Sequence, residues 1–86
     1  MAVSLSCKIW IDGTEHEYPV SPKVEVEFER KFGIGIGKAF EQQKREHQHY
    51  LAYLSMKASG VVVKPFDGWL DGVENTEVLV AEDPLR

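Results

Sequence analysis

The stretch from Lys44 to Gly60, KREHQHYLAYLSMKASG, constrains the fold of this chain more than any other. His47, Tyr50, Leu51, Leu54 and Ala58 recur at the i, i+3, i+4, i+7 spacing of one helical face. Leu, Ala, Met, Lys, Gln and Glu fill most positions, so intrinsic propensity agrees with the periodicity. Glu46 near the start and Lys57 near the end suit the helix dipole, and Gly60 suits the left-handed residue that closes many helices. The pattern predicts a helix around which the remaining residues pack. The chain has 86 residues, read as a single domain 1–86 whose core is too small to enclose a deep active site and its own scaffold.

Upstream, Val3, Leu5, Cys7, Ile9 and Ile11 alternate with Ser4, Ser6, Lys8 and Trp10, the period of a half-buried strand. Asp12-Gly13 suits a two-residue type I′ turn, which predicts a hairpin over about 3–20. Pairing Ile11 with Thr14 then sets Ile9 opposite His16, Cys7 opposite Tyr18 and Leu5 opposite Val20 on one face. The other face pairs Lys8 with Glu17 and Trp10 with Glu15, so one register serves both faces. Pro19 has no N–H to give a ladder, which makes the second strand an edge or ends it.

Ser21-Pro22 has the form of an N-cap with proline at the first helical position. The segment 23–32 reads two ways. Val24, Phe28 and Phe32 fit a helix ending at Gly33, the preferred reading, and Val24, Val26 and Phe28 fit a strand; both turn Phe28 and Phe32 inward. Gly33-Ile34-Gly35-Ile36-Gly37-Lys38 is not a phosphate loop. Phe32 stands where that motif needs glycine and Ala39 where it needs Ser or Thr, and Lys38 spoils the dinucleotide fingerprint. It reads as a connector. A helix starts near Lys38 with Ile36 and Phe40 inward, and the apolar gap in EQQKRE bends or breaks it before the central helix. Val61-Val62-Val63 reads as extended. Phe66, Trp69, Leu70 and Val73 form the inner stripe of a two-turn helix, which closes a helical part spanning about 22–73. Residues 77–81 form a candidate closing strand against the first, and 82–86 a polar tail. The fold class is α+β: an N-terminal hairpin, with a candidate third strand, packed on a small bundle of two to four helices.

The residues that carry chemistry do not cluster. His47 and His49 are two apart, so a helix directs them roughly 200° away from each other and they cannot share a metal. The lone cysteine, Cys7, lies on the apolar face of its strand and reads as a small buried hydrophobe; within one chain it forms no disulfide. Asp67 and Asp71 share a helical face without a basic cradle and read as solvated surface. No nucleophile–base pair or ligand set emerges, so the chain reads as a non-enzyme with no catalytic residues, cofactor or metal. Its net charge of −4 argues against nucleic acid as a partner, and no apolar run reaches the roughly 20 residues of a membrane span. Residues 1–12 alternate polar with apolar and do not read as a signal peptide. Basic Lys38, Lys44 and Arg45 against the acidic last twenty residues suggest head-to-tail contact between copies, or charge dispersed for solubility.

Aromatic side chains say more. Phe28, Phe32, Phe40, Tyr50, Tyr53, Phe66 and Trp69 fall within 42 residues, more ring surface than so small a domain hides together with Trp10 and Tyr18. Trp10, Tyr53 and Met56 lie off the main apolar stripes and are the candidates for an exposed contact patch, with covering the core rim as the alternative.

Glu25 to Val78 resembles the small tail assembly chaperones of long-tailed, non-contractile bacteriophages. The residues that carry the resemblance are Phe28-Glu29-Arg30-Lys31-Phe32-Gly33, Glu46-His47 with Tyr50-Leu51-Ala52-Tyr53-Leu54, Gly60, Phe66-Asp67-Gly68-Trp69-Leu70-Asp71, and Glu77-Val78. They are hydrophobic and glycine signposts in order, covering about two thirds of the chain, and contain no catalytic signature. The resemblance implies a protein that binds the tape measure protein in the host bacterial cytoplasm, keeps it soluble, brings tail tube protein to it, and is absent from the mature virion. It implies that this chain matches the short form of a pair whose longer member arises by ribosomal frameshifting. A tape measure helix with exposed apolar stripes fits shallow grooves on many small domains, and Tyr50, Tyr53, Met56 and Trp69 are the residues expected near such a groove. The acidic final segment would then meet a basic neighbour. Two other readings stay open: a structural virion protein of the head–tail junction or tail end, forming a homo-oligomer through its sheet edge, and a small regulatory module that binds a host protein.

Overall fold

Asp12 and Gly13 take φ of 52° and 75°, the left-handed pair a type I′ turn requires, and they join β1 (Ala2–Ile11) to β2 (Thr14–Pro19). The computed structural model describes residues 2–83. The ladder carries the expected register: Cys7 opposite Tyr18, Ile9 opposite His16, Ile11 opposite Thr14, Lys8 opposite Glu17 and Trp10 opposite Glu15. Leu5 and Val20 meet through the Val20 N–H, donated to the Leu5 carbonyl at 2.9 Å. A third strand, β3 (Asn75–Asp83), lies antiparallel on the other side of β1, so the order is β2-β1-β3 and Pro19 sits on an edge. It runs longer than the expected 77–81. Residues 82 and 83, read as tail, are laddered opposite Val3 and Ala2 because β1 offers backbone groups that far; the remaining tail residues, 84–86, lie outside the described part.

The ambiguous segment is helical: α1 (Pro22–Phe32) starts at Ser21, whose Oγ accepts the Val24 N–H at 3.3 Å, and ends at Gly33 with φ 71°. Helical spacing buries Val24 and Phe28 together and leaves Val26 exposed, which a strand could not do. Ser21→Ala should lower stability by about 1 kcal/mol, read as a shift of the urea midpoint; an unchanged midpoint would mean the cap carries nothing. The glycine connector is tied down, since Glu29 Oε2 accepts the Ile36 N–H at 3.0 Å where α2 (Ile36–Gln42) begins. The gap in EQQKRE is a full break: Gln43 turns left-handed at φ 54° and Lys44 restarts the chain as α3 (Arg45–Ala58).

Helix α3 crosses the sheet from edge to edge. At its N-terminal end Gln48 Nε2 donates to the Thr76 carbonyl at 2.6 Å, His49 Nδ1 lies 2.8 Å from Thr76 Oγ1, and Arg45 donates to Asn75 Oδ1 at 2.8 Å. Burial and the nearby Arg45 charge hold the His49 imidazole below its usual pKa. Further along, Ser55 Oγ is 3.8 Å from Cys7 Sγ in the core. The helix is buried more broadly than its stripe predicts: every residue from Leu51 to Met56 is enclosed, whereas Ala58 is exposed. The cause is tertiary, because the sheet covers one side of α3 and both α1 and α4 (Phe66–Asp71) cover others. Val61 to Val63 make no ladder. The opposite sheet face carries Ser6, Lys8, Trp10, Glu15 and Glu17, with Lys8 reaching Glu15 diagonally at 3.5 Å. Among the described residues no helix is long and apolar enough to cross a membrane.

Candidate protein-binding groove

Two apolar side chains fix the floor of the groove. Trp69 of α4 donates its indole N–H to Met56 Sδ of α3 at 3.3 Å, which locks the short helix onto the end of the long one. Beyond α3, Gly60 (φ 94°) turns the chain back, and Val61 to Val63 return over the junction without a strand partner. Together with Ile11 and Tyr18 of the hairpin these residues bound a groove of about 570 Å³ at the β2 edge of the sheet. His16, Lys64 and Asp71 lie on its border, so the rim is polar and of mixed charge. Val62 stands at the lip 98% exposed, in a chain where most other large apolar side chains are at least half covered.

The five side chains expected at a contact surface do not come together. Tyr53, Met56 and Trp69 are only 7%, 4% and 6% exposed, so the exposure expected of Tyr53 and Met56 is wrong. They are covered because α1 and α4 enclose the flank of α3 that a one-stripe helix would leave to solvent. Met56 and Trp69 still reach the groove from beneath. Tyr50, half-buried, and Tyr53 border a separate depression with Lys57 and Phe66. Trp10 is half-buried on the open sheet face, opposite Glu15 and Asn75. Surplus ring surface is shared rather than shown: Phe28, Phe32, His47, Tyr50, Tyr53, Phe66 and Trp69 form one network with centroids 4.6–6.0 Å apart.

Val61 and Val62 are the surface residues that sequence reasoning missed. Their signal is legible in retrospect: three β-branched residues between Gly60 and Lys64-Pro65, without alternation, have no face to bury as a strand. The histidines part as their spacing requires, His47 packing on Phe28 and Phe32 while His49 meets Thr76. Asp67 and Asp71 are exposed, and among the described residues no group of three His, Cys, Asp or Glu side chains is placed to hold a metal. What the fold defines here is a small α+β domain whose accessible chemistry is an apolar groove with a polar rim. The chain matches no protein-family model, no curated protein and no solved structure.

Proposed function

We propose that this chain is a non-catalytic tail assembly chaperone of a long-tailed, non-contractile bacteriophage, one that binds the tape measure protein and helps tail tube protein reach it. The observation that carries the reading is the fully exposed Val62, with Val61 partly exposed beside it, above the groove floored by Met56 and Trp69. Isolated exposed hydrophobics are ordinary, but a fully exposed valine beside an apolar trough marks a place where another polypeptide can lie. The order of signposts from Phe28 to Val78 supports the choice of partner. A tape measure helix waiting for its tube exposes an apolar stripe, and a groove of this kind covers a turn or two of it. Each contact is weak, so many copies along one rod hold it by avidity and yield in turn to arriving tube subunits. The chaperone acts in the host bacterial cytoplasm and has left by the time the virion is complete.

Co-expression with the tape measure protein should raise the soluble yield of that protein severalfold, and Val62→Asp should return the yield to its starting level. Since Val62 touches so little of its own chain, the variant should keep its far-ultraviolet dichroism and urea midpoint. A yield indifferent to the chain would overturn the proposal, and recovery of the chain from purified particles would favour a structural virion protein instead.

A further inference from the structure

The two edges of the sheet are built differently. A two-residue turn makes Ile11 and Thr14 a pair that exchanges both backbone bonds, so odd-numbered residues of β1 bond to β2 and even-numbered ones to β3. On β2 the backbone groups left facing outward therefore belong to Glu15, Glu17 and Pro19. Two charges and a residue without an N–H blunt that edge. On β3 the outward groups belong to Thr76, Val78, Val80 and residue 82. The Thr76 carbonyl is taken by Gln48, which agrees with this parity, but among the described residues no strand covers Val78 and Val80. Val80 is 64% exposed although its side chain shares the sheet face of Val78 and Cys7. Beside it runs a second groove of about 400 Å³, bounded by Val78 and Val80, by Ala39 and Phe40 of α2, and by Lys44 and Arg45 at the start of α3. A strand added to β3 would send every second side chain into this slot.

We propose that a second copy of this chain supplies that strand, β3 pairing antiparallel with β3 about a two-fold axis at Leu79 to make a continuous six-stranded sheet. Only even-numbered partners have bonding groups to exchange, so the axis falls on a residue of β3 and neighbouring registers differ by a step of two. Apolar pairing selects among them. Centred on Leu79, Val78 of each copy faces Val80 of the other, so all four outward valines meet across the seam. Centring on Val78 would set Val80 opposite Thr76, whose carbonyl is already taken by Gln48, and centring on Val80 would take Val78 out of the valine pairing. The contact is isologous and closes at two copies, and Val78 and Val80 of each protomer fill the other's slot. It uses the β3 edge, opposite the Val62 groove, and stands or falls independently of the tape measure reading.

Sedimentation of the full chain in reducing buffer tests it. The expected result is a monomer–dimer equilibrium whose dissociation constant rises at least about tenfold in Val80→Lys, with the urea midpoint unchanged at dilutions where both chains are monomeric, because Val80 is mostly exposed within its own chain. Leu79→Cys should close a disulfide between copies under mild oxidation, since non-bonded cross-strand pairs bring Cα atoms to about 4.5 Å. Glu77→Cys, facing Ala81, should not, and buried Cys7 does not compete. A monomer at every concentration, a dimer indifferent to Val80→Lys, or equal cross-linking at 77 and 79 would each overturn the proposal.

Discussion

Phe28→Ala should cost about 3–5 kcal/mol of folding stability, the usual penalty for emptying a well-packed aromatic site. Phe28 is fully buried on the inner face of α1, with the Phe32 ring 4.8 Å and the His47 ring 5.7 Å from its own. Removing it leaves a void where α1 meets α3 and unseats the first ring of the network that runs through Tyr50 to Trp69. A domain of this length has roughly 4–13 kcal/mol in total, at about 0.05–0.15 kcal/mol per residue. The variant should therefore lose roughly a quarter or more of that stability, with its urea midpoint reduced in proportion. Val26→Ala on the same helix, 44% exposed, should change little. If both variants lost comparable stability, the packing of α1 against α3 described above would be wrong.

Alkali should destabilise the protein through Cys7. The thiol lies in the core on the sheet face beneath α3, and burial raises its pKa from 9.0 to about 11, the nearby Ser55 hydroxyl only partly offsetting that. Between those two values the unfolded chain has given up a proton that the folded chain keeps. The stabilisation is whole below pH 9 and is lost as pH rises through 11, on the order of 2–3 kcal/mol in all. Cys7→Ala starts less stable because it leaves a small void, yet lacks this loss. Contributions common to both proteins cancel in the difference. Unfolding free energies by urea at intervals from pH 8 to pH 11 should converge for the two chains; parallel curves would show that the thiol is not desolvated as described.

Local physics made much of the fold legible. Period-two alternation on both sides of Asp12-Gly13 leaves one hairpin register that satisfies both faces, and it is the register found. Ser21-Pro22 and Gly33 bracket α1, and the helix-spaced Val24 and Phe28 decide in its favour once Val26 is seen to face solvent. The contact surface was less legible. Distance from one stripe does not give exposure, because a helix has one buried stripe only when one neighbour covers it. Here three elements enclose α3, and Tyr53 and Met56 went inside with it.

By itself the sequence determined the α+β class, the hairpin and its register, the caps of α1 and the presence of an interruption before Lys44. Each of these depends on residues close together in the chain, through periodicity, backbone preference and capping. The break rather than a bend there, the start of α2 at Ile36 rather than Lys38 and the end of α4 at Asp71 rather than Val73 came from the structure. Tertiary structure alone decided that α3 packs across all three strands, that the Val61–Val63 segment lacks a strand to join, and that β3 leaves an apolar edge beside a slot. Those outcomes depend on which distant surfaces meet, and a side chain's exposure is set by what the rest of the chain places over it.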